Sequence, residues 1–340
     1  YRRQRQMCIR DSIITNGIFQ CTISHFYYTI SQKWRINLKN LNDGYAKIIT
    51  DETLRETISH GSEEYPFRYY YEDIWLFDLH CIDWHWHPEV EFVLVENGTA
   101  DFFVGSSRYV LNTGEAIFIN TQVIHRFESS ESTIIPNMVF SPLLIAAENS
   151  LIYRKYIKPV LMSSVECLII SPTDEKQCEM LDTIRNVFAI QESKSISELK
   201  TTELIMKLWG QIYESISWND TQNINKTSAQ AQAQLQIMMQ HIHKNYYRRI
   251  TLEDLARSVS ISKSSVLNIF KSYLHTSPIN YALEYRLKRA AKFLTETENS
   301  VFVIAQTAGF ENVGYFCRKF KALYGMTPKE YRNHRRSERK

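Results

Sequence analysis

No apolar run in this sequence approaches the roughly 20 residues needed to cross a bilayer, and no secretory signal is visible. The expectation is a chain of the cytoplasm, without a membrane partner. The six cysteines, Cys8, Cys21, Cys81, Cys167, Cys178 and Cys317, contain no Cys-x-x-Cys pair and no framework spacing. That excludes a disulfide scaffold and a cysteine-built zinc site, and predicts free thiols in a reducing compartment. A large excess of one charge is missing too, since the net charge is +3. The balance is uneven, however. Residues 233–340 hold 19 Lys and Arg against 8 Asp and Glu, while residues 1–232 hold 21 against 29. A basic end on an acidic body points to nucleic acid.

The stretch Ser300–Arg332 is the most informative. Ser300 is a helix N-cap, because its hydroxyl accepts an otherwise unpaired amide. Val301, Ile304 and Ala305 share one helical face. Gly309 permits a left-handed turn residue, and a second helix follows with Phe316 and Phe320 on its buried side. That is the build of a helix-turn-helix. The design occurs twice. Leu252, Leu255, Ala256, Ser260 and Ile261 precede their counterparts by a constant 49 residues, and Val266 and Phe270 precede theirs by 50. Thr251 caps the first unit, with Asp254 three residues on. Ser277-Pro278 starts a connecting helix with a buried face of Ile279, Leu283, Leu287, Ala290 and Leu294. A rigid helix there holds the two reading helices about one DNA turn, roughly 34 Å, apart.

Residues 250–336 resemble the DNA-binding domain of the AraC/XylS family of bacterial transcription regulators. The family pattern I-A-x-x-x-G-F is met by Ile304–Phe310, Y-F-x-R-x-F-K by Tyr315–Lys321, and G-x-T-P-x-x-Y-R by Gly325–Arg332. Gly314 departs from the family's usual serine. By position in the motif, the resemblance implies that Ser264, Leu267 and Asn268 of the first unit, and Asn312, Val313 and Cys317 of the second, face DNA bases. Lys263, Lys271, Arg318 and Lys321 suit phosphates. None of the six base-facing residues is Arg or Lys, which points to an A·T-leaning site.

From about Tyr65 the text becomes β. Strands are expected at Ile74–Ile82, Glu89–Val95, Thr99–Val104, Arg108–Leu111, Ala116–Ile119 and His125–Phe127. Asn97-Gly98 is read as a hairpin turn. Short strands with frequent turns predict a small barrel or jelly roll. This stretch resembles the cupin sensor domain. The motif H-x-H-x3-E-x6-G is met by His85, His87, Glu91 and Gly98. In the second motif Gly114 and His125 fit, while Asn120, Gln122 and Ser129 stand where Pro, Gly and Asn are usual. His85, His87 and Glu91 have equal parity, so an unbroken strand points them the same way. His85, His87, Glu91 and His125 are the candidate ligand-binding residues. No cofactor is required, although in metal cupins this set holds a divalent ion, and its donors suit zinc, iron, nickel or manganese. The plainer reading is a polar pocket at the barrel mouth.

Two amphipathic helices follow at about 175–191 and 197–215, then a polar, low-complexity stretch at 218–234. Residues 1–12 read like a translated adapter, and 13–50 carry little pattern. The fold class expected is multidomain α+β. It comprises a leader over 1–60, disordered or non-native; a cupin-like β-barrel sensor over 61–172; a helical dimerisation segment over 173–217; a linker over 218–232; and an all-α domain with two helix-turn-helix units over 233–336. The function expected is sequence-specific regulation of transcription under a small-molecule effector. Its partners are double-stranded DNA, that effector, a second copy of the chain and RNA polymerase. Promoter activation is implied by the resemblance alone, and no enzyme activity is expected. The alternatives are a metal-dependent cupin enzyme tethered to DNA, or a ligand-independent regulator whose barrel only dimerises.

Overall fold

The computed structural model describes residues 47–193, 197–216 and 225–338, with the side chains of 225–229 and 336–338 left aside. Among them nine strands form two antiparallel sheets: β1 (Phe67–Asp73), β2 (Cys81–His85), β3 (Val90–Leu94), β4 (Thr99–Val104), β5 (Ser107–Asn112), β6 (Ala116–Ile119), β7 (His125–Glu128), β8 (Ile134–Phe140) and β9 (Cys167–Ile170). One sheet has the order β1-β8-β3-β6-β9, the other β2-β7-β4-β5. Every residue of β3 is buried. Its odd and even positions serve two cores. Val93 joins Ile117, Phe102 and Phe127 between the sheets. Phe92 joins Phe118, Met138 and Phe140 on the outer face, beneath two helices.

Those helices are α1 (Glu175–Glu192) and α2 (Glu198–Ser215), capped by Asp174 and Ser197. Their apolar stripes, Met180, Ile184, Val187 and Phe188 with Ile205, Leu208, Trp209 and Ile212, lie against the five-stranded sheet. The stripes that pointed to a dimer interface are therefore used within the chain. On α2 the outward apolar residues are Leu199 and Met206.

Three other expectations change. Asn97-Gly98 is not a hairpin turn, because β3 pairs with β6 and β8 while β4 pairs with β5 and β7. The turn carries the chain from one sheet to the other. Gly98 has φ +93°, and a Cβ there would meet Thr133 Oγ1 at 2.6 Å. The strand expected over 74–82 begins only at Cys81. Asp73 accepts from the Trp75 amide and closes a tight turn, and Leu79 and His80 are both left-handed. Finally, residues 47–60 are not leader. Trp86 donates its amide to Leu54 O and its indole N–H to Thr53 O, and Glu56 donates its amide to Trp86 O. Isolated backbone contacts of this kind leave no periodicity to read. Residues 1–46 lie outside the described residues.

The C-terminal part comprises α3 (Asn225–Asn245), α4 (Leu252–Ser258), α5 (Lys263–Leu274), α6 (Pro278–Glu296), α7 (Val301–Thr307), α8 (Val313–Tyr324) and α9 (Pro328–Glu338). α3 begins inside the stretch read as linker. Thr251 and Asp254 form a full capping box, and Ser300 accepts from the Val303 amide. Ser260 and Gly309, equivalent in the repeat, are both left-handed, at φ 54° and 83°. On α6, Leu287, Ala290 and Leu294 are buried, but Ile279 is exposed. The second unit has its own core, built from Leu287, Leu294, Ile304, Phe316 and Phe320. The first does not. Leu54, Trp84 and Ile124 of the sensor are buried in one cluster with Leu235, Met238, Leu255 and Phe270.

Candidate functional site

The two reading helices are α5 and α8. Ser262 caps α5, which leaves Ser264, Leu267, Asn268, Lys263 and Lys271 exposed along one side. Lys263 is already paired with Glu253. On α8, Arg318 and Lys321 are exposed, but Val313 and Cys317 are half-buried against the core of the second unit. Asn312 is the N-cap, its Oδ1 accepting from the Tyr315 amide at 2.8 Å. Its acceptor is thus committed to the helix start. Two outward residues of the Tyr315–Lys321 motif were given no contact role from the sequence. Tyr315 is exposed, and Lys319 Nζ lies 5.7 Å from its ring centre. Their spacing of four was the available signal.

In the sensor, the structure brings His85, His87, Glu91 and His125 together. Each offers one ligand atom, and these atoms all lie within 4.8 Å of one another. All four are buried, at 1–4% exposure. Equal parity is not the reason. β2 ends at His85, and the chain crosses between sheets before β3 delivers Glu91. His125 stands directly opposite His85 on β7. The site therefore draws on both sheets.

The ring orientations are fixed from behind. His85 Nδ1 lies 2.8 Å from Asp83 O, and His125 Nδ1 lies 2.9 Å from Val123 O. Facing a carbonyl, each Nδ1 is the donor, so each Nε2 is free to carry a lone pair. His125 Nε2 sits 3.2 Å from the Glu91 carboxylate, and His87 Nε2 sits 3.4 Å from it. Burial pushes His85 down to about 3, with the His125 charge adding to the effect. Burial would raise Glu91, and only positive charge beside it, from protonated His125 and His87 or from a bound cation, holds it below the usual carboxylate range. His87 Nδ1 and His125 Nε2 are buried without a hydrogen-bond partner. Lone pairs converging on a buried carboxylate call for positive charge. The donor set therefore fits a divalent ion held by His85, His87, Glu91 and His125. Such an ion would neutralise Glu91 and tie the two sheets together.

Further polar groups, missed because they lie outside the motif, surround this cluster. His60 stacks edge-on to His87 at 5.3 Å between ring centres, and its Nε2 lies 3.2 Å from Glu56. Burial pushes Glu72 up to about 8, although Asn137 donates to it at 2.9 Å. Among the described residues, no Lys or Arg ion pair is found for Glu56, Glu72 or Glu91.

The residues beside the cluster face the DNA-binding helices. The Asp83 carboxylate pairs with Lys288 of α6, and Arg126 reaches Asp83 and Glu284. Trp84 and Ile124 enter the core shared with α3–α5. Phe103 meets His275 at the end of α5, and Asp78 meets Arg335 of α9.

The description "AraC-like ligand binding domain" matches residues 74–209, and a helix-turn-helix domain model matches 255–334. The uncharacterised HTH-type regulator YdeC of Bacillus subtilis is 25% identical over 84% of this chain and 97% of its own length. The melibiose operon regulatory protein of Escherichia coli is 22% identical, covering 73% of this chain and 82% of that one. The HTH-type transcriptional activator RhaS of Mannheimia succiniciproducens is 23% identical, covering 73% and 88%. The chain belongs to the AraC family: it is a DNA-binding transcription regulator with a ligand-binding domain.

Proposed function

We propose that this regulator is controlled through His85, His87, Glu91 and His125, and that the ligand these donors hold is a divalent cation. The observation that carries the reading is the cluster's position. The carbonyls that orient His85 and His125 belong to Asp83 and Val123. Asp83 itself, with Trp84, Ile124 and Arg126 beside the two histidines, makes the contacts to the DNA-binding helices. An ion that shifts β2 against β7 therefore acts on the surface that docks α3–α6. The DNA contacts proposed are those of Ser264, Leu267 and Asn268 with Asn312, Val313 and Cys317. Lys263, Lys271, Arg318 and Lys321 take phosphates.

The burial of all four cluster residues supports a regulatory rather than a catalytic site, since a substrate finds little surface there. Promoter activation with RNA polymerase as partner fits the activator RhaS among the relatives. A homodimer would use outward residues such as Leu199 and Met206 of α2. The absence, among the described residues, of a helix long and apolar enough to span a membrane suits a place in the cytoplasm.

The test is metal analysis of purified full-length protein after dialysis against zinc, manganese, iron or nickel. One ion per chain is expected, lost in His87→Ala and Glu91→Gln. DNA affinity should change on loading in the wild type alone. No stoichiometric ion, with DNA affinity unaffected by all four metals, contradicts the reading. Light scattering of the full chain across micromolar concentrations tests the dimer.

A further inference from the structure

The ligand atoms of the barrel cluster lie within 4.8 Å of one another, a spacing that suits an ion. A cavity of about 660 Å³ lies elsewhere, at the junction of residues 47–54, β2, α3 and α6. That volume suits a small metabolite. Charged and aromatic side chains share its wall, and the aromatic ones are packed together. His243 and Tyr285 stack with ring centres 4.1 Å apart and 12° between planes, and Tyr246 meets Tyr285 edge-on at 5.4 Å. Both His243 nitrogens are engaged, by Glu52 O and by the Tyr281 hydroxyl, so the ring offers the cavity no free donor.

Most of the charges lining the cavity already have partners. Asp51 accepts from the Thr53 amide and hydroxyl and from the Arg55 amide. Glu52 pairs with Lys244 at 3.1 Å. Asp83 and Glu284 share Lys288 and Arg126. Lys47 lies 3.9 Å from Asp78, and Lys292 lies 3.7 Å from Glu296. Arg289 is different. Its guanidinium carbon stands 5.5 Å from the Tyr246 ring centre and 5.4 Å from that of Phe293. Among the described residues no ion pair to a carboxylate is found for it, and its buried Nε has no hydrogen-bond partner. A guanidinium framed by rings, beside an apolar cavity whose carboxylates are already matched, is complementary to an anion on a flat apolar body.

We propose that this junction cavity binds a small organic anion with a planar apolar body, and that Arg289 is the residue that receives its charge. The site is distinct from the barrel cluster and does not depend on that cluster holding an ion. Because its walls come from the sensor and from α3 and α6, occupancy would brace the two parts against each other.

The experiment is calorimetric titration of the full-length protein with 2-naphthoate, and with 2-naphthamide as the uncharged isostere. One 2-naphthoate per chain is expected, bound at least about tenfold more tightly than the amide, as for a hydrogen-bonded charge. Arg289→Gln should remove that preference and Arg289→Lys should restore most of it. His87→Ala, in the barrel cluster, should still prefer the anion to the amide, whatever its absolute affinity. The proposal is overturned by no saturable binding of 2-naphthoate at millimolar concentration, by equal affinity for the amide, or by Arg289→Gln binding unchanged. Loss of binding in His87→Ala with Arg289→Gln unaffected overturns it as well, by placing the anion in the barrel. Should Arg289→Gln fail to fold, as read by thermal melting, the carboxylate-to-amide ratio on the wild type decides the matter.

Discussion

Asp83 of β2 and Lys288 of α6 form an ion pair across the junction between sensor and DNA-binding helices, and Glu284 holds the same Lys288 Nζ at 2.8 Å. Burial opposes the charge on Asp83, but the charges of Lys288 and Arg126 prevail and hold it well below the usual carboxylate range. Its side chain is 41% exposed, so solvent screens the pair. A double-mutant cycle of Asp83→Asn and Lys288→Met should give a coupling of roughly 1 kcal/mol in thermal or urea unfolding. A folded-state value below the unfolded one makes the contribution complete above about pH 4 and lost as the solution is acidified further. A coupling indistinguishable from zero at pH 7 would show that the pair adds nothing to docking.

Glu72 titrates in the opposite sense. Burial raises it to about 8, and the charges of Glu91 and Glu56 add to the shift against the hydrogen bond from Asn137. For an acid raised on folding, stability is complete below the unfolded value near 4.3 and falls as pH rises toward 8. Glu72→Gln keeps an acceptor for Asn137 and removes the charge. Its melting temperature should gain on the wild type between pH 5 and pH 8. A constant difference across that range would contradict the assignment.

Much of this was legible in the sequence, and the gaps have physical causes. The helix-turn-helix units could be read because capping residues and turn residues act locally: Thr251, Ser300 and Gly309 do in the structure what their chemistry dictates. The four cluster residues were found through their spacing, although the reason given for it, a shared strand, does not hold. Sheet pairing was misread at Asn97-Gly98 because a turn signal is local, whereas the partners of β3 and β4 are set by burial on both faces of β3. β1, β8 and β9 went unread, and Glu56 and His60 were set aside with the leader, because contacts far apart in sequence carry no periodicity.

Gly309 offers a direct check on the turn of the second unit. A Cβ there would stand 2.6 Å from Tyr246 O and 2.9 Å from Tyr247 Cα, at a φ of 83°. Gly309→Ala should therefore cost more than about 1 kcal/mol of stability, while Ser260→Gly at the equivalent turn should cost little or stabilise slightly. Chemical denaturation of both variants is the measurement. Equal effects would mean that the close approach to Tyr246 is not what selects glycine.

On the proposed assignment, the reading helices divide into base and phosphate contacts. Asn268, exposed on α5, suits a paired contact to adenine. Asn268→Ala should cost roughly 1–3 kcal/mol on the preferred site and relax base choice at one position. Lys321→Ala should weaken all sites alike and reduce the salt slope by about one unit. Randomised-site selection on both variants at two salt concentrations separates these outcomes. An unchanged base preference in Asn268→Ala, or a sequence-selective loss in Lys321→Ala, contradicts the respective assignment.

The buried cluster is proposed to govern DNA binding through the docked helices. The most direct measurement is the affinity of the full-length protein for its selected DNA site, with and without a saturating divalent ion, in the wild type, Glu91→Gln and Lys288→Met. Expected are a change of affinity on ion addition in the wild type, none in Glu91→Gln because the ion is not held, and a reduced change in Lys288→Met because the ion is held but the junction is loosened. An identical response to the ion in all three proteins would contradict the proposal.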